Sequence, residues 1–201
     1  MKAARALVEA IAAGDEALAL DLLERTPELA RHAAQEGATR GDSAPHFLAA
    51  IGHYLYAGDT PLHIAAAAHA PALVRRLLAH GADVHARNRH GAAPIHYAAD
   101  GAPGTPRWNG EAQAETIACL LAAGADPNDA DPRGVTPLHR AVRTRSAAAV
   151  RALLAAGADP GRRNRNGSTP VDLTRHNTGR SGSGGAEAKV ELVAIVALLG
   201  G

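Results

Sequence analysis

The stretch Asp59–Asn88, DTPLHIAAAAHAPALVRRLLAHGADVHARN, decides how the rest of the 201-residue chain is read. It opens on Thr60-Pro61. The threonine reads as a helix N-cap, whose side-chain oxygen accepts from an orphan backbone N–H. The proline suits the first helical position, where no N–H is needed. Apolar residues then recur at helical spacing, and Gly81 closes the second helical run as a left-handed cap. A helix pair of this kind has one face it cannot bury alone, so it requires neighbours of its own type.

Those neighbours are present. The tripeptide GAD recurs at Gly81, Gly124 and Gly157, with offsets of 43 and 33, and Leu77, Leu120 and Leu153 open leucine pairs at the same offsets. TPLH at Thr60 returns as APIH at Ala93, TPLH at Thr136 and TPVD at Thr169, offset by 33, 43 and 33. The period is therefore 33, with ten extra residues in one unit. A second full match, GVTPLHRAVRTRSAAAVRALLAAGADP, runs from Gly134 to Pro160. In these motifs the chain resembles the ankyrin-repeat family, over about three quarters of its length. The resemblance implies an all-α solenoid of about five helix-turn-helix units with β-turn fingers and three insertions.

The expected organisation is a single domain. Residues 1–30 form an N-terminal capping unit, in which Gly14 and Leu22 keep the spacing of His69 and Leu77. Residues 31–58 are an insertion, and repeats follow at 59–91, 92–134 and 135–167, with a C-terminal capping repeat at 168–201. Within the first insertion Phe47, Ile51 and Leu55 are spaced i, i+4, i+8, which predicts a short amphipathic helix. The second insertion, near 101–110, belongs to the loop DGAPGTPRWNG and holds the only tryptophan, Trp108. The third, near 177–188, is rich in glycine and precedes a helix beginning near Ala186. Of the five aromatic residues, four (Phe47, Tyr54, Tyr56 and Trp108) lie in insertions and only Tyr97 in the repeat framework. Aromatic loops on a rigid scaffold are a common layout for a binding site.

Composition narrows the function classes. One cysteine, Cys119, excludes an internal disulfide and a cysteine-based zinc site. Acidic Glu9 and Asp15 interrupt the N-terminal run, and no apolar stretch reaches the ~18 residues of a membrane span. A soluble cytoplasmic monomer is expected. The net charge of +1 conceals ten arginines against two aspartates between Arg133 and Arg180, a basic surface suited to an acidic partner. Nucleic acid is disfavoured, because aromatics are not interleaved among the arginines for base stacking.

Eleven histidines raise the question of metal. His63, His96 and His139 are the TPLH histidines, which the resemblance assigns to hydrogen bonds that hold the stack. No His-x-Glu or His-Glu-x-x-His spacing occurs, so neither a metal nor another cofactor is expected. Asp172 replaces this histidine in the last unit.

Aligned by repeat, Ala67, Asp100, Arg143 and His176 occupy one position, which the resemblance turns toward the concave surface. With neighbouring helices about 8–10 Å apart, Asp100 and His176 cannot touch, whereas Arg143 between them can reach either. Two function classes follow. The first is a non-enzymatic protein-recognition scaffold that binds through Arg133, Arg140, Arg143, Arg162, Arg163 and Arg165. The second is a pocket for a small anionic ligand, in which Arg143 and Arg180 hold charge, Tyr54, Tyr97 and Trp108 form the walls with Asn109 beside them, and His176 or Asp100 would carry any acid–base chemistry.

Overall fold

The computed structural model describes residues 2–106, 108–175 and 186–200. Among them ten α-helices form five successive pairs. These are α1 (Lys2–Ala13) with α2 (Glu16–Arg25), α3 (Pro61–Ala67) with α4 (Pro71–Ala79), and α5 (Pro94–Ala98) with α6 (Gly110–Ala122). They continue as α7 (Pro137–Arg143) with α8 (Ala147–Ala155), and α9 (Pro170–Thr174) with α10 (Ala186–Leu198). First helices pack in one row, α1 on α3, α3 on α5, α5 on α7 and α7 on α9. Second helices pack in a parallel row, α2 on α4 through to α8 on α10. The core lies between the rows, where Leu77, Leu120 and Leu153 are fully buried one after another.

The repeat chemistry explains both ends of each short helix. Thr60, Thr136 and Thr169 are N-caps, each followed by proline at the first helical position. His63, His96 and His139 each accept the cap residue's N–H at Nδ1, at 3.1, 3.2 and 3.3 Å. That fixes the Nε2–H tautomer, and Nε2 donates to the next unit: to the carbonyls of Ala92 (3.0 Å), Val135 (3.1 Å) and Ser168 (3.1 Å). One imidazole thus caps its own helix and ties two units together. Asp172 keeps only the first half of this function. Its Oδ2 accepts from the Thr169 N–H and hydroxyl, both at 2.9 Å, and a carboxylate has no hydrogen to pass on.

Gly81, Gly124 and Gly157 adopt φ of 80°, 98° and 85° at the ends of the second helices, as left-handed caps must. The turn between the helices of a pair also needs a left-handed residue, supplied by Gly14 (φ 77°) in the first pair. Its equivalents are His69 (φ 50°) and Arg145 (φ 61°), a conformation that costs a side-chain-bearing residue roughly 1–2 kcal/mol. Each reaches into the next pair. His69 Nε2 donates to the Asp100 carbonyl at 3.1 Å, and Arg145 donates to the Leu173 carbonyl at 3.4 Å.

The first insertion differs from expectation. In place of an amphipathic helix, residues 44–46 form a 3-10 turn, and β1 (Phe47–Leu48) pairs antiparallel with β2 (His53–Tyr54). The Phe47/Ile51/Leu55 stripe is not formed: Leu48 and Leu55 are buried and Phe47 is exposed. Gly52, at φ 63°, turns the chain within the predicted helix. A helix of two turns nucleates poorly, whereas the hairpin finds long-range partners. The Leu55 N–H donates to His46, and the Leu55 carbonyl accepts from Ala38. The chain is therefore helical with one small hairpin among the described residues.

Candidate functional site

α5 ends at Ala98, and Asp100 begins the second insertion. Its backbone is held on both sides, the carbonyl by His69 and the following Gly101 N–H by Thr144 Oγ1 at 2.9 Å. The carboxylate then meets two guanidiniums from α7, one turn apart. Arg140 Nη1 lies 2.8 Å from Oδ2, and Arg143 Nη2 lies 3.6 Å from Oδ1. Burial works against the charged carboxylate, but Arg140, then Arg143, then His53 outweigh it and hold Asp100 below the ordinary carboxylate range. Arg140 also lies over the Tyr97 ring, 5.8 Å from its centroid.

Tyr97 belongs to a second, fully buried group. Its hydroxyl donates to Asp59 Oδ1 at 2.9 Å, and Asn88 Nδ2 donates both to that oxygen and to the Tyr97 hydroxyl. Burial, followed by the Asp59 charge and hydrogen bond, pushes the phenol well above its ordinary value, so it stays a neutral donor. His53 of β2 packs on the Tyr97 ring with centroids 4.4 Å apart. The hairpin is therefore fastened to the first-helix row by its inner face, Leu48 and His53.

Its outer face carries Phe47 and Tyr54, cross-strand partners with rings 4.9 Å apart. Tyr54 and Tyr56 follow at 6.4 Å, and Tyr56 meets His90 edge-on at 4.7 Å and Arg89 at 5.4 Å. Burial, then the Arg89 and Arg133 charges, lowers the His90 pKa, which places it among cations.

The fingers between pairs share a motif that the repeat markers did not reveal. Asn88, Asp131 and Asn164 are equivalent. Each side-chain oxygen accepts the N–H groups two and four residues on, with a glycine at the third position at φ 71°, 74° and 78°. Equal offsets of Asx and Gly carried this signal in the sequence. The tips bear Arg89, Arg133 and Arg165, with Arg162 and Arg163 beside the last. Adjacent fingers are tied by the Arg165 N–H to the Arg133 carbonyl at 2.8 Å. Arg133 pairs with buried Asp131 at 3.2 Å. Arg89, Arg162, Arg163 and Arg165 are exposed and make no direct ion pair with a carboxylate among the described residues.

The predicted pocket walls are not brought together. Tyr97 is buried beneath His53, and Tyr54 faces Phe47. Trp108 Nε1 donates to Gln113 Oε1 at 3.0 Å, and the edge of its ring lies 3.3 Å from where a Cβ on Gly110 would stand. It makes neither a hydrogen bond nor a ring contact with Asp100, Arg143 or Tyr97 among the described residues. Asn109 is the N-cap of α6, accepting from the Glu111 and Ala112 N–H groups. Gln113, which no sequence motif marked, organises this loop. It is fully buried, donates to the Ala98 carbonyl at 2.9 Å and accepts from the Ser146 hydroxyl at 2.7 Å. His176 and Arg180 lie outside the described residues, as does the glycine-rich loop that holds Arg180.

Paired helices in two rows, linked by capping histidines and by fingers that project between pairs, define a class of stacked-repeat scaffold. A family model for ankyrin repeats in many copies matches residues 49–98 and 120–173, just over half of the chain. The chain belongs to the ankyrin-repeat family, whose repeats mediate protein–protein interaction. It is 42% identical over 85 residues to the E3 ubiquitin-protein ligase KEG of Arabidopsis thaliana, covering 42% of this chain and 5% of that protein. It is 44% identical over 84 residues to Ankyrin repeat and SOCS box protein 16 of Mus musculus, covering 41% of this chain and 18% of that one. The matched segments thus span less than a fifth of either relative. Among the described residues no helix is long and apolar enough to cross a membrane.

Proposed function

We propose that the chain is a five-unit recognition scaffold, divided as the repeat spacing predicts, that binds an acidic protein partner on its concave side and finger tips. The observation that carries this reading is the set of exposed arginines, Arg162, Arg163 and Arg165, none of which forms a direct ion pair with a carboxylate among the described residues, although the Arg163 charge is felt at Asp172. Long cations held on stacked, hydrogen-bonded fingers steer and select an oppositely charged surface. A single cysteine supports a cytoplasmic compartment, and the surplus of like charge on this side supports a monomer. Replacing Arg162, Arg163 and Arg165 with Glu should abolish the capture of partners that the unaltered protein retains in a pull-down. Capture that survives the reversal rejects this finger as the contact.

A small anionic ligand is the second reading, favoured by the convergence of Arg140 and Arg143 on the single carboxylate of Asp100. Phosphate or citrate should then raise the melting temperature of the unaltered protein but not that of Arg143→Gln. Equal shifts in both reject it.

A further inference from the structure

A chain with five aromatic residues places three of them in one unbroken run: Phe47 and Tyr54 on the outer face of the hairpin and, just beyond β2, the half-buried Tyr56. Phe47 and Tyr54 are 44% and 37% exposed, whereas Tyr97 is buried and Trp108 is folded onto α6. The hairpin is no loose loop: Leu48 and Leu55 are buried, His53 packs on Tyr97, and Tyr56 N–H donates to Asp59 at 2.7 Å. The exposed rings are thus presented by a fixed backbone, which lowers the entropy lost on binding. Where the run ends it meets the first finger. Arg89 N–H donates to the Ala57 carbonyl at 2.8 Å, its guanidinium covers Tyr56, and His90 meets the same ring.

Exposed tyrosine, phenylalanine and arginine side by side on a rigid support form the composition from which interface hot spots are built. Resting on the reading of this side as a protein-binding surface, we propose that the Phe47–Tyr54–Tyr56 ledge is an anchor site for an acidic polypeptide segment. That segment lays a large apolar side chain on Phe47 and Tyr54 and sets flanking carboxylates on Arg89 and the arginines of the later fingers. Charge chooses the occupant. A second copy of this chain would bring its own Arg89 and finger arginines against the same cations, whereas an acidic segment meets them with the opposite sign.

The test is selection of random dodecapeptides displayed on phage against the immobilised full chain, followed by fluorescence anisotropy with the selected peptides. The expected sequences carry a large aliphatic or aromatic residue flanked by Asp or Glu. Their affinity should fall at least tenfold in the double variant Phe47→Ser/Tyr54→Ser. Arg89→Gln, which leaves the hairpin unaltered, should weaken binding severalfold, so the outcome does not depend on the double variant folding. Circular dichroism melts check both variants. Selected peptides that lack either the apolar residue or the acidic flanks overturn the proposal, as does a selection that enriches nothing. Peptides that bind both ledge variants as well as the unaltered chain, yet are lost on charge reversal of Arg162, Arg163 and Arg165, overturn the ledge and leave the basic-finger reading standing. A concentration-dependent dimer in sedimentation velocity that Phe47→Ser/Tyr54→Ser abolishes assigns the ledge to self-association and overturns it too.

Discussion

The TPLH histidine joins two levels of structure, and its protonation state follows from that geometry. His96 Nδ1 accepts and Nε2 donates, so the neutral ring satisfies both partners, whereas a second ring proton on Nδ1 would face the Ala93 N–H, with the Asp129 carboxylate 4.0 Å away. Burial, then the Arg140 charge, depresses His96 to about 4, and burial depresses His69 to about 4. In the unfolded chain histidine titrates near 6.5, so below that pH the unfolded state binds more protons than the folded one. Stability should fall as pH drops from about 6.5 to about 4, by about 1.4 kcal/mol per pH unit for each such histidine, and then level off for these groups. Urea unfolding midpoints that do not change between pH 7 and 5 would contradict this. A second expectation concerns Ala93, the one described cap of a first helix in the TPLH register without a side-chain oxygen. Ala93→Thr should restore the hydroxyl that Thr60 and Thr136 place 3.0 and 2.8 Å from their histidines. The expected gain is about 1 kcal/mol, read as a higher melting temperature. A variant that melts lower would show that the Ala93 site has no room for the extra atoms.

At the scale of elements, the second insertion shows how a loop that breaks a repeat is made to fit. α6 begins at Gly110, and one extra turn before Leu120 brings Gln113 between Ala98 and Ser146. Trp108 then closes over Gly110. Gln113→Ala removes the amide and leaves the Ala98 carbonyl and the Ser146 hydroxyl without that partner in a buried place, at a cost of about 1–3 kcal/mol. It also frees the Trp108 N–H, so the tryptophan emission should shift to the red. Emission and stability both unchanged would refute the role given to Gln113. The hairpin illustrates the opposite case, in which local spacing pointed to a helix and long-range partners chose strands.

Across the whole molecule, stability is distributed along a line because, among the described residues, each pair packs chiefly on its neighbours, with one longer reach from the Gly104 loop of the third pair to Glu187 of α10. Interior pairs are covered on both sides. The last helix, α10, buries only Ala188 and Ile195 fully and exposes Val190 and Val193 at 70% and 72%. Hydrogen exchange should therefore be fastest in α9 and α10 and slowest in α3 to α8. Leu120→Ala in the interior should cost about 2–5 kcal/mol, and the smaller Ile195→Val about 0.5–1.5 kcal/mol. Uniform exchange along the chain would mean that the stack unfolds as one unit rather than fraying from this end.

Sequence alone determined the repeat: the helix pairs, the Thr-Pro starts, the glycine caps and the shared register of Asp100 and Arg143. These are set by contacts within about four residues or by a spacing that recurs, and both can be counted along a chain. Where the irregular segments settle depends on the folded stack. That Phe47 and Tyr54 face outward, that Trp108 turns to Gln113 and that Arg140 joins Arg143 on Asp100 each depends on groups far apart in sequence. The physical reason is that an insertion has no repeating neighbour to copy. Its conformation is whichever one buries its own leucines and pairs its own polar groups against a surface that exists only once the repeats have stacked.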